Sequence, residues 1–287
     1  MIKHEEDEIQ VLGVPAENKK TVGKKRIIGY IILVIMGIIG IACCWWLWWN
    51  PTDTEDSKTM SYKESNIPML MKNGQETTTH KTNTKVSILA DTINDVPMQI
   101  FMLEGVHSNL CMGLPSVQDT TVLMALPAAD IRKDNLGIVG DFVLDGCRYG
   151  NGKRKEGYCA LLQGQLFLGV SISDTIMNYC VDRQGSFFRQ YALVSNNKIW
   201  PNRLKGKSLR RAVAKKKDDA RIYVVISRQR ESLYDFSEAL SDYGMHDAIY
   251  LPGGDAYAFY RANGEVSFLG ISQEHVYPNT NYLVFSK

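Results

Sequence analysis

Three short places in the chain carry residue types that can do chemistry. The first is "GIVGDFVLDG", Gly137–Gly146, where Asp141 interrupts an apolar run beside Gly140. An acid in such a run either lies on the polar face of a strand, by alternation, or lines a pocket. The second is "RLKGKSLRRAVAKKK", Arg203–Lys217, with eight basic residues and no acid. A run of this kind is most often a solvated surface. Arg210 and Arg211 differ from their neighbours, because Ala-Val-Ala follows at once and draws them towards a core. An arginine so placed takes a carboxylate or a phosphate, which its planar fork grips with two hydrogen bonds. The third is "AIYLPGGDAYAFYR", Ala248–Arg261, where an apolar run breaks at Pro252-Gly253-Gly254-Asp255. Gly-Gly-Asp is good turn chemistry. The same glycines let backbone amides approach an anion, and both readings stand.

The elements that must position these residues are mostly strands. Short apolar runs bounded by turn residues recur from about Lys85 to Lys287: "KVSILA", "MQIFMLE", "TVLMALP", "GIVGDFVL", "ALLQGQLFLGV", "FRQYALVS", "RIYVVIS", "AIYL", "YAFYR", "VSFLGIS" and "NYLVF". One helix is clear in "ESLYDFSEALSDYG". Ser232 caps its start, Leu233, Phe236, Leu240 and Tyr243 recur at helical spacing, and Gly244 closes it. With "RIYVVIS" before it and "AIYL" after it, this predicts a βαβ unit with parallel strands and a right-handed crossover. Pro252–Asp255 then lies just past the carboxyl end of the second strand, where ligands bind in open parallel units. The expected fold class is α+β: a β-rich domain with a mixed sheet containing that βαβ unit, preceded by a single transmembrane helix.

The transmembrane reading rests on Ile27–Trp49, 23 residues without a charge. At ~1.5 Å per residue such a helix crosses a ~30 Å hydrocarbon core with some tilt. Lys19, Lys20, Lys24, Lys25 and Arg26 precede it, and Asp53, Glu55 and Asp56 follow. That asymmetry predicts a single-pass protein with a cytoplasmic N-terminus and an extracytoplasmic C-terminal domain, with four tryptophans forming a belt at the exit. A lipid anchor at Cys43 is the rival reading. The predicted organisation is a tail (1–26), the membrane segment (27–49), a polar spacer (50–84) and one globular domain (85–287).

Net charge is only +2 and 45% of residues are hydrophobic. Overall charge therefore points to neither nucleic acid nor an acidic partner. Outside the membrane, Cys111, Cys147, Cys159 and Cys180 allow three pairings. Cys147 and Cys159 flank a plausible hairpin, "RYGNGKRKEGY"; four reduced thiols are the alternative. No zinc-ligand spacing, GxSxG elbow, HExxH or P-loop occurs, so no metal and no cofactor is expected.

The three places follow one another as "GDF", "RRAVA" and strand–helix–"AIYLPGGD". In that order they resemble the phosphodiester glycosidase family, the domain of the lysosomal "uncovering" enzyme that removes N-acetylglucosamine from mannose 6-phosphate diesters. Val139, Gly140, Asp141 and Phe142 match its Asn-Gly-x-Phe-like segment loosely, and Arg211, Ala212 and Val213 its Arg-Thr-Ala-like segment. Leu251–Ala256 match its "LDGGGS". The chain departs from the pattern at Val139, Pro252 and Ala256, which replace an Asn, an Asp and a Ser. The resemblance spans about residues 85–287. It implies hydrolysis of a sugar-1-phosphodiester at the glycosidic bond in the cell envelope. Asp141 and Asp255 would be the carboxylates and Arg211 would neutralise the departing phosphate. The amides of Gly253 and Gly254, with Gly140 and Arg210, would contact the substrate. The alternative is an inactive module on the same fold that binds an anionic glycan or a protein. Its groove would use Tyr257, Phe259 and Tyr260 beside the basic run.

Overall fold

A computed structural model describes residues 84–150, 155–202, 204–270 and 279–287. The described residues form seventeen strands, numbered β1–β17 along the chain, and two helices. The first sheet has seven strands in the order β1 (Lys85–Ile93), β2 (Val96–Glu104), β13 (Ile222–Ser227), β12 (Arg211–Lys215), β14 (Asp247–Leu251), β10 (Ala192–Ser195) and β11 (Lys198–Ile199). The second runs β16 (Glu265–Leu269), β15 (Ala258–Ala262), β4 (Val122–Pro127), β17 (Asn281–Ser286) and β3 (His107–Met112). The third runs β6 (Cys147–Arg148), β5 (Phe142–Leu144), β9 (Ser186–Gln190), β7 (Gly157–Leu162) and β8 (Gln165–Val170).

One core joins all three sheets. Phe101, Val213, Val224 and Ile249 come from the first, Met124, Leu126, Leu283 and Phe285 from the second, and Phe142, Cys159, Leu168 and Phe188 from the third. Strands buried on both faces read as continuous apolar runs, as β4 and β13 do. Helix α1 (Thr175–Asp182) covers the outer face of the third sheet with Ile176, Met177 and Cys180. Helix α2 (Leu233–Asp242) packs on the outer face of the first through Leu233, Phe236, Ala239 and Leu240. Burial of each Leu or Phe contributes about 1.5–3 kcal/mol. Ser232 caps α2 as its sequence predicts, its Oγ accepting the Asp235 N–H at 3.0 Å.

The fold-class expectation needs correction. Every strand pair among the described residues is antiparallel, so no mixed sheet forms. Strands β13 and β14 do flank α2 in sequence, but they are not neighbours. Strand β12 lies between them and pairs antiparallel with both. Its five residues sit inside the basic run, where their strand character is masked by the lysines and arginines around them.

The single-pass membrane reading is corrected too. Residues 27–49 lie outside the described residues, as do the tail and all of the spacer except Thr84. The described helices have 8 and 10 residues, and neither is long and apolar enough to cross a membrane. The Cys147–Cys159 pairing also fails: Cys111, Cys147, Cys159 and Cys180 are all free. Cys147 is exposed on β6 and Cys159 buried on β7, with β5 and β9 between their strands. Strands β6 and β7 are therefore not a hairpin pair.

Candidate functional site

The insertion of β12 brings two of the three sequence places together. Arg211 opens β12 and stands in register with Leu251, the last residue of β14 before the Pro252–Asp255 break. Alternation puts Arg211 on the face of Val213, turned towards the three-sheet core. Its side chain is fully buried. Nη2 donates to the carbonyls of Ala256 (3.1 Å) and Gly254 (3.4 Å). Nε and Nη1 are buried and have no hydrogen-bond partner among the described residues. Burial pulls the guanidinium down to about 10, while Tyr250, Asp255 and Tyr282 pull it back up, so it is a cation at neutral pH. Leaving a buried donor unpaired costs about 1–3 kcal/mol. A phosphate or carboxylate oxygen is what such a group lacks.

The loop above it is pinned from two sides. A Cβ on Gly254 would collide with Cβ and the carbonyl carbon of Leu209. Gly270, at φ +81°, lies so close to the carbonyls of Asp255 and Ala256 that no side chain fits there either. The Gly254 N–H donates to Leu209 O at 3.0 Å and the Gly253 N–H to Tyr250 Oη at 3.1 Å. Ala256 N–H closes a turn on Gly253 O. The loop thus turns carbonyls towards Arg211 and keeps the two glycine amides for its own bonds. Asp255 is half-buried, and its charge reaches Arg211.

The other predicted residues lie as follows. Asp141 pairs with a different arginine: its Oδ2 accepts from Arg189 Nε at 2.7 Å, and its carbonyl accepts the Arg189 N–H. Arg189 is fully buried on β9 and also donates to the carbonyls of Ser171 and Ser173. Gly140 takes φ +89° just before Asp141, and Gly150 packs against its carbonyl with no room for a Cβ. Arg210 is buried on the opposite side of the chain from Arg211, donating to Glu231 O (2.9 Å) and Gly206 O (2.8 Å). Of the aromatics, Phe259 is fully buried and Tyr260 packs on Phe101, whereas Tyr257 stacks on the exposed Phe268 at 5.6 Å.

One buried polar network was not foreseen from sequence. Lys155 pairs with Asp130 and donates to Gln190 Oε1 at 2.8 Å. Gln190 Nε2 returns to Asp130 Oδ1 at 3.1 Å. The Lys155 ammonium also lies over the Tyr191 ring, and Tyr191 meets Tyr250 edge-on at 6.5 Å between centroids. Burial, then the Asp130 charge, raises the Tyr191 phenol. Since Tyr250 holds the Gly253 amide, this network also reaches the loop. Its only sequence signal is Arg189-Gln190, two polar residues inside an apolar run. Among the described residues no cluster of His, Cys, Asp or Glu is placed to hold a metal ion.

No protein-family model matches the chain, and no curated protein does. Solved structures do share the fold. The catalytic domain of zebrafish N-acetylglucosamine-1-phosphodiester alpha-N-acetylglucosaminidase, auto-inhibited by its pro-peptide, superposes with a TM-score of 0.55 at 15% identity. The match covers 73% of this chain and 85% of that one. A hypothetical protein from Synechocystis matches with a TM-score of 0.50 at 10% identity, over 72% of this chain and 64% of that one. The chain is therefore a distant relative in fold of a phosphodiester glycosidase domain.

Proposed function

We propose that the chain hydrolyses a sugar-1-phosphodiester at its glycosidic bond, with the substrate held beside Arg211 and Asp255. One observation carries this reading: Arg211 is fully buried at the foot of the 253–256 loop, with two donors that have no partner among the described residues. A buried cation with such donors suits a pair of phosphate oxygens. The fold likeness adds weight by analogy only.

In the reaction the bond between the sugar C1 and the phosphate oxygen breaks. That oxygen keeps the electron pair and leaves as part of a phosphomonoester. Water adds to C1 through an oxocarbenium-like transition state. Arg211 stabilises the charge that builds on the departing phosphate, in surroundings where water does not screen it. Asp255, whose charge reaches Arg211, takes the proton of the attacking water. Asp141, held in its ion pair with Arg189, takes no part in this step. The stacked Tyr257 and Phe268 offer an apolar face for the sugar ring.

A binding module that does not cut has one observation in its favour. The Gly253 and Gly254 amides already have partners, which removes two donors from the developing charge. The test is release of reducing sugar from a panel of sugar-1-phosphodiesters. Release is expected from the wild-type chain, falling about 10²–10³-fold in Arg211→Ala and in Asp255→Asn. Equal rates in wild type and Arg211→Ala would refute the assignment. No release combined with Arg211-dependent binding of an anionic glycan would establish the binding module.

A further inference from the structure

Arg211 and Lys215 share one face of β12, and the far end of that strand opens into a cleft. This cleft lies where β8 of the third sheet meets the ends of β12 and β14, with a volume of about 420 Å³. Leu166, Phe167 and Leu168 supply an apolar wall, Lys215, Lys216, Lys217, Asp218, Asp219 and Asp247 supply charge, and His246 lines the rest.

Most of those charges are already engaged. Asp219 accepts from Arg221 through both oxygens and from Tyr223 Oη at 2.6 Å. Asp247 binds His246 Nδ1 at 2.6 Å and the Asn196 N–H at 3.2 Å. Lys216 lies over the Tyr243 ring at 4.0 Å. Lys217 and Asp218 are exposed. Lys215 differs. It is half-buried and stands in register with Asp247, but among the described residues its ammonium makes no hydrogen bond and no ion pair. Burial pulls its pKa down, and Asp219, Asp247 and Cys159 oppose that only through space. One cation inside an apolar-walled cleft thus lacks a direct counter-ion.

We propose that this cleft binds a small monocarboxylate. Its carboxylate pairs with Lys215 and its apolar body lies against Leu166–Leu168. A single unmatched cation suits a monoanion better than a phosphate dianion, and the aliphatic wall excludes a strongly hydrated ion. The site is separate from Arg211 and does not depend on the glycosidase reading.

The test is amide NMR on the full chain, with hexanoate as the probe and hexanol as its neutral counterpart. Hexanoate is expected to shift the amides of Lys215–Ala220 and His246 saturably. Hexanol should bind about tenfold more weakly or worse. Lys215→Met should weaken hexanoate by a similar factor, Lys215→Arg should keep most of it, and Lys198→Met, at an exposed position of β11 outside the cleft, should change little. Unshifted amides away from the cleft show that each variant is folded. Equal affinity for hexanol and hexanoate, unchanged affinity in Lys215→Met, or no saturable shift at millimolar hexanoate would overturn the proposal.

Discussion

Arg189 and Arg211 are both fully buried, yet they are satisfied very differently. Arg189 has a carboxylate and carbonyl partners around its fork. Arg211 has two weakly placed carbonyls and two empty donors. Removing the first leaves Asp141 and several carbonyls without their cation, a loss of about 3–5 kcal/mol when one partner of a buried pair goes. Removing the second takes away a group that already carries unpaired donors. Arg189→Met should therefore lower stability by several kcal/mol in urea unfolding, and Arg211→Met by about 1 kcal/mol or less. The contrast separates a structural arginine from one held ready for a ligand. A reversed order of the two variants would remove the basis for reading Arg211 as a ligand group.

At the scale of the element, the decisive piece is the five-residue strand β12. The sequence made the burial of Arg210 and Arg211 legible through Ala-Val-Ala, and it made the strands around α2 legible as apolar runs. It hid β12 itself, because a strand embedded in lysines and arginines has no apolar bounds. Other boundaries were hidden by long-range pairing. "ALLQGQLFLGV" is one apolar run but two strands, folded at Gln163-Gly164, both at positive φ. "FRQYALVS" is likewise one run, yet β9 and β10 belong to different sheets on either side of Tyr191. Of the site, the loop and Arg211 stood out in sequence. Asp130, Lys155 and Gln190 did not, since their meeting depends on three distant segments. The loop is also the element most sensitive to a single methyl group. Gly254→Ala should displace it from Leu209, reducing sugar release at least as much as Asp255→Asn while shifting Tm by only a few degrees. A fully active Gly254→Ala protein would show that the loop's packing is not needed.

At the scale of the whole molecule, the packed sheets bury Cys159 and Cys180 without cross-linking them. Burial raises the Cys111 thiol to about 11 and that of Cys180 to about 12, and it raises buried Cys159 as well. A raised thiol pKa keeps the unreactive protonated form at neutral pH. Iodoacetamide mapping by mass spectrometry should therefore find Cys147 alkylated first and Cys111 slowly. Cys159 and Cys180 should react only when the domain unfolds. Prompt reaction at Cys159 would mean that the third sheet opens locally far below the global unfolding free energy.

The interposed strand also has neighbours that are made at different times. A chain made from its N-terminus completes the β12–β13 hairpin before β14 exists, and α2 must then swing back over the sheet to deliver the missing neighbour. During that interval β12 is a bare edge, with a row of amides and carbonyls open to any extended segment. The residues around it, Arg203–Lys217, carry eight positive charges and no negative one. Two nascent copies meeting edge to edge would bring those charges into register against each other. Like charges set opposite one another disfavour such pairing, and the edge is gone once β14 takes its place beside β12.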